Sequence, residues 1–170
     1  DNDARPWASD NPFAPGAATH QGMVYAIQNP FNGDLIYPTN GRCWTFSQEQ
    51  MLEIMSEWCD YELRDLHDEE QRATVCGVSA ESVRPNVKAI VLSHSLNESS
   101  QMARKVYNRG QWPKFYFTKE GYGGIRRKTY IDNVGGRLPT NLWPYEEVGH
   151  TDEAKKELKS LFDGSAPFDT

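Results

Sequence analysis

The sequence predicts an α+β fold: a single mixed domain of short strands, a basic β-hairpin and about three helices. Three observations predict it. Strand-like and helix-like segments follow one another without regular alternation, which disfavours a doubly wound sheet. A capping-box helix opens at Ser47, and two strand-like runs flank a glycine-rich loop at 119–124. At 170 residues the chain is long enough to bury a core.

Residues 1–22 read as an irregular N-terminal segment, punctuated by Pro6, Pro12, Pro15 and Gly16 with no surviving period. Met23 to Ile27 and Asp34 to Tyr37 read as strands around a turn at Asn29 to Gly33. Ser47 and Gln50 form a capping box, and Met51, Ile54, Met55 and Trp58 make one apolar stripe behind it. The acidic run Asp60 to Arg72 is expected to continue as a solvated helical arm. Lys88 to Leu92 reads as a strand and Glu98 to Asn108 as a helix stopped by Gly110. Lys114 to Thr118 and Ile125 to Ile131 are the hairpin strands. A last helix is capped by Thr151 and carries Ala154, Leu158, Leu161 and Phe162 on one face. There is no internal repeat and no low-complexity segment.

Composition narrows the function classes. No apolar run approaches the ~18 residues that a membrane span needs. Three cysteines, an odd number without CxxC or CxxH spacing, argue against a disulfide framework and against zinc, and they point to reduced thiols in a cytoplasmic protein. The net charge is −6, but it is segregated. Nine basic residues (Arg104, Lys105, Arg109, Lys114, Lys119, Arg126, Arg127, Lys128 and Arg137) face only Glu120 and Asp132 within residues 104–137. That stretch is therefore +7, which leaves −13 for the rest of the chain. A locally basic protein can present a phosphate-binding face even when its total charge is negative.

The hairpin is the main candidate site. Strand alternation sends Arg126, Lys128 and Tyr130 one way and Ile125, Arg127, Thr129 and Ile131 the other. The second set holds the apolar residues, so the first is expected to form an exposed strip suited to a DNA groove. The plainer alternative is a solvated, charge-rich hairpin. Tyr122 is the best candidate for base stacking, whereas Trp112, Phe115 and Phe117 read as core. Gly121, Gly123 and Gly124 lack nucleotide-fingerprint spacing and a following helix. His20, His67, His94 and His150 show no ligand spacing, so no metal is expected, and Ser93, His94 and Ser95 read as loop rather than as a nucleophilic centre. The acids Asp60, Glu62, Asp65, Asp68, Glu69 and Glu70 read as a solvated face.

Two stretches carry a family likeness. Leu142-Trp143, Val148-Gly149, Thr151, Lys155-Lys156-Glu157-Leu158 and Leu161-Phe162, followed by Phe168-Asp169-Thr170, resemble the run into the AdoMet-binding lobe of type III restriction–modification adenine-N6 DNA methyltransferases. In that family the run continues into Phe-Asp-Thr-Pro-Lys-Pro. Asn29-Pro30-Phe31, then Tyr37 to Trp44, then Glu49 to Met51, is similar to the entry into the same family's variable region. Residues 60–135 between them match nothing specific, as a target-recognition segment would. The resemblance implies sequence-specific recognition of double-stranded DNA, with residues 138–170 as a connector toward the AdoMet lobe and Phe168 and Asp169 beside that lobe. The family's Asp-Pro-Pro-Tyr and Phe-x-Gly-x-Gly motifs do not occur here. No catalytic residue and no cofactor is therefore expected in this piece, and AdoMet is expected in the parent enzyme. The implied partners are the remaining methyltransferase lobes, a second methyltransferase subunit and a restriction subunit, with no membrane. The alternative is a structural or protein-docking domain of that enzyme without direct DNA contact.

Overall fold

In the computed structural model the chain divides into two units, Asp1–Asn133 and Val134–Thr170. The structure describes residues 2–133 and Ser160. The connector 138–170, with the helix expected after Thr151, lies outside the described residues, as do Arg137, Phe168 and Asp169.

Residues 2–133 are α+β. Strands β1 (Trp7–Asp10), β2 (Phe13–Pro15), β3 (Ile27–Gln28), β4 (Leu35–Ile36) and β5 (Arg42–Trp44) precede helix α1 (Gln48–Met55). Then come β6 (Tyr61–Arg64), α2 (Glu69–Cys76), β7 (Ala89–Leu92), α3 (Leu96–Arg109), β8 (Phe115–Phe117) and β9 (Ile125–Tyr130). They make a four-stranded sheet in the order β4-β3-β7-β6, a three-stranded sheet β1-β9-β8 and the pair β2-β5. Only β3–β7 is parallel; every other pairing is antiparallel.

Two sequence expectations are corrected here. Residues 1–22 are not wholly irregular, since β1 and β2 lie within them and β1 pairs with β9 along its whole length. The run 60–72 is not a helical arm. Tyr61 and Leu63 alternate with Glu62 and Arg64 in β6, the period-two pattern of a half-buried strand, and α2 starts only at Glu69.

The core explains the elements around it. All four residues of β7 are buried, as expected of a strand covered on both faces. Met51 and Met55 of α1 enter the main core with Trp44, Trp58, Phe115 and Phe117. The two indole N–H groups stay satisfied: Trp44 donates to the Tyr25 carbonyl at 2.8 Å and Trp58 to the Phe115 carbonyl at 2.9 Å. Ser47 closes the capping box with Gln50, and Ser95 forms a second one with Glu98, starting α3 two residues before the expected point. Gly110 ends α3 in the left-handed conformation (φ 77°). Cys43, Cys59 and Cys76 are free and buried. Burial pushes all three thiols up, Cys59 to about 12.

Candidate nucleic-acid interface

Helix α3 buries Ser99 and Ala103 and turns Arg104, Lys105, Asn108 and Arg109 to solvent. The β8–β9 loop reaches toward that exposed face. Its shape is fixed from within: Thr118 and Gly124 bond across it at 3.0 Å, and the N–H groups of Gly121 and Gly123 both donate to the Thr118 carbonyl. Lys119 and Glu120 adopt positive φ (50° and 56°), a conformation costing about 1 kcal/mol or more per residue outside glycine. Gly121, at φ +96°, lies so close to Phe31 that a Cβ would run into the ring. The buried Asn29 ties this loop to the turn after β3, its amide donating to the Gly121 carbonyl at 2.7 Å while its carbonyl oxygen accepts from the Phe31 N–H at 2.8 Å. Tyr122 emerges 63% exposed, and Arg104 Nη2 donates to its hydroxyl at 3.3 Å. The Arg104 guanidinium also stands 5.8 Å from the centre of the Phe31 ring. Lys105, Arg109, Lys119 and Arg126 are exposed, and among the described residues none of them has an acid partner.

Strand β9 follows the expected alternation but not the expected exposure. Ile125 and Arg127 face the same way as Phe117 and Phe115, their partners in β8, and Arg126 pairs with Tyr116 on the other face. Beyond Arg126 that other face is covered, because the N-terminal segment packs over Lys128 and Tyr130. Lys128 is 1% exposed and Tyr130 half-buried, so of the expected strip of Arg126, Lys128 and Tyr130 only Arg126 faces solvent. The Lys128 ammonium donates to Asp3 at 3.1 Å and to the Trp112 carbonyl at 2.7 Å, and lies 5.1 Å from the Trp7 ring centre. Tyr130 donates to the same Asp3 oxygen at 2.8 Å, and Arg5 stacks on the Tyr130 ring. With the Tyr130 hydroxyl, the Arg5 N–H and the Lys128 ammonium aimed at it, the Asp3 carboxyl is held down at about 2. Half-buried Arg127 pairs with Asp10, which also accepts from Thr129 at 2.9 Å. The Arg127 hydrogen bond, then that of Thr129, lowers the Asp10 carboxyl. Ile131, expected inside, is exposed.

The remaining candidates scatter. Lys114 is half-buried with its ammonium 4.6 Å from the Phe46 ring centre. Trp112 stacks on Tyr107 at 5.0 Å, while Phe115 and Phe117 are core, as expected. His94 pairs with Asp60 at 3.0 Å, and the Ser95 hydroxyl is engaged by Glu98 in the helix cap. Asp65 and His67 on an exposed loop and half-buried Glu69 at the start of α2 bring ligand atoms within 4.8 Å of one another, and Glu69 also faces Arg72. Asp68 is no part of a solvated face: it accepts from the buried Arg72 at 2.9 Å and from Tyr37 at 2.7 Å. The residues around Gly121–Gly124 do not fit an AdoMet or nucleotide cradle, since Phe31 fills the space over Gly121 and strand β9 follows the loop. Sequence reasoning missed Asn29, Phe31 and Asp3; Asn29-Pro30-Phe31 was legible as a turn, but nothing local marked its contact with a loop 92 residues away.

Comparison with protein-family models, curated proteins and solved structures found no match to this chain.

Proposed function

We propose that residues 2–133 bind double-stranded DNA as the target-recognition part of an adenine-N6 DNA methyltransferase of a restriction–modification system. The observation that carries the DNA-binding reading is the contact between Arg104 and Tyr122, which joins the cationic face of α3 to the β8–β9 loop. Residues distant in sequence thereby meet at one surface: α3 also exposes Lys105 and Arg109, the loop exposes Lys119 and Tyr122, and Arg126 follows the loop in β9. Phosphate contacts from such cations position a duplex, and a mobile-free loop carrying Tyr122 offers a rigid element for the groove or for base stacking. Lys128, Tyr130 and Arg127 instead hold the sheet, through Asp3 and Asp10.

The assignment to a methyltransferase rests on the likeness of residues 29–51 and 138–170 to that family. On this reading adenine methylation, AdoMet and the catalytic motif belong to the remaining lobes. A second methyltransferase subunit and a restriction subunit are the proposed assembly partners. Three buried free cysteines support a cytoplasmic setting, and among the described residues no helix is long and apolar enough to cross a membrane.

Fluorescence anisotropy of a labelled duplex against the full chain, between about 50 and about 200 mM salt, tests the DNA-binding reading. Affinity is expected to fall steeply with salt, and Arg104→Ala should reduce the logarithmic salt slope by about one. Absence of binding at the lowest salt, or binding indifferent to salt, overturns it.

A further inference from the structure

Between α3 and the β8–β9 loop lies a cavity of about 290 Å³ lined by Phe31, Arg104, Tyr107, Asn108 and Glu120. Its aromatic wall is fixed: Phe31 is buried edge-on to Trp58, Phe117 and Tyr107, and Tyr107 is in turn stacked on Trp112. Its polar wall is built from two elements. Arg104 is steadied by the Tyr122 hydroxyl at 3.3 Å, and Glu120 is presented from a left-handed backbone (φ 56°, ψ 31°). Among the described residues nothing pairs with the Glu120 carboxylate, and Asn108 adds an amide with both donors and an acceptor.

We infer that this cavity takes one unpaired guanine base, an inference resting on the reading of this face as a nucleic-acid surface. A planar guanidinium and aromatic rings suit the faces of a base, and a carboxylate selects its edge. The two oxygens of one carboxylate accept from two neighbouring N–H donors. Guanine alone among the DNA bases offers that pair, N1–H beside the N2 amino group. Adenine sets an acceptor next to its amino group, cytosine does the same, and thymine flanks its single N–H with two carbonyl oxygens that repel the carboxylate. The Asn108 amide and the Tyr107 hydroxyl are the groups in the cavity left to donate to guanine O6.

The test uses the full chain and four fluorescein-labelled oligothymidylates, one unsubstituted and three in which one internal thymine is replaced by guanine, adenine or cytosine. The guanine oligonucleotide is expected to bind about fivefold or more tightly than the other three. Glu120→Gln, at an exposed position that keeps side-chain size, should erase that preference and leave salt-sensitive binding to all four. Arg104→Lys, which keeps the charge but removes the plane, should weaken all four together. Equal affinities in the unsubstituted chain overturn the guanine pocket while leaving the DNA-binding reading standing. A guanine preference that survives Glu120→Gln overturns the pocket as well. Failure to bind any oligonucleotide or duplex overturns both readings.

Discussion

A lysine ammonium withdrawn from water must find its compensation inside the fold, and Lys128 finds it in Asp3, 125 residues away, and in the Trp112 carbonyl. Lys128→Met should therefore cost about 1–3 kcal/mol in urea unfolding, since Asp3 keeps some solvent and Tyr130 as a partner. The same substitution should leave the salt slope of DNA binding unchanged, in contrast to Arg104→Ala; a flatter slope would return Lys128 to the DNA-binding surface. Asn29 is the second residue whose removal should be felt at a distance. Asn29→Ala leaves the Gly121 carbonyl and the Phe31 N–H without their partner, at roughly 1–3 kcal/mol. It should also lower DNA affinity by freeing the loop that holds Tyr122, measured by anisotropy at a temperature where the variant remains folded. The sequence made the alternation of β9 legible because side-chain direction is a local property of an extended chain. Which of its faces meets water depends on what packs there, and the covering residues, Asp3 and Trp7, belong to the other end of the chain.

Among the described elements, several with a local signal were found in place, whereas the strand expected over 23–27 is reduced to Ile27–Gln28 behind a 3-10 turn at Gln21–Met23. The capping box at Ser47, the apolar run of β7 and the glycine stop after α3 each follow from a few adjacent residues. Strand β1, Trp-Ala-Ser-Asp, carries no such signal, because a short edge strand exists through its partner; β9 supplies the ladder from Trp7↔Tyr130 to Asp10↔Arg127. Electrostatics strengthens that ladder and makes it sensitive to acid. Asp3 sits at about 2 in the fold against an ordinary 3.8, and Asp10 is also lowered, by Arg127 first and Thr129 next. A carboxylate depressed in the folded state stabilises it above the unfolded pKa and loses that contribution as pH falls through the folded one. Thermal stability should accordingly drop as pH falls from about 4 to about 2. Asp3→Asn should be less stable at neutral pH and should show a shallower fall across that window in melting curves. An equal fall in both proteins would mean that other carboxylates govern the acid response.

For the whole molecule, a net charge of −6 would suggest repulsion from DNA, yet the balance is distributed by pairing. Arg5, Arg64, Arg72, Arg127 and Lys128 each lie against a carboxylate of their own, so their charges are largely spent within the fold. Among the described residues, Arg104, Lys105, Arg109, Lys119 and Arg126 are not opposed in this way, and all five are exposed. Each cation that meets a phosphate releases counterions, giving about −0.9 per contact in the slope of log K against log salt. Five such contacts set a limit of about −4.5 for these five cations. The acidic remainder lowers the affinity at every salt concentration but releases no DNA counterions, so it leaves that slope in place. The expected result for residues 1–133 within the full chain is thus weak binding with a slope between about −2 and about −4.5. A slope steeper than this would mean that further cations share in the contact, such as the exposed Arg42, Arg84 and Lys88 or cations beyond residue 133. A slope near zero would mean that these five cations meet no phosphate, and with it the proposed DNA surface would fall.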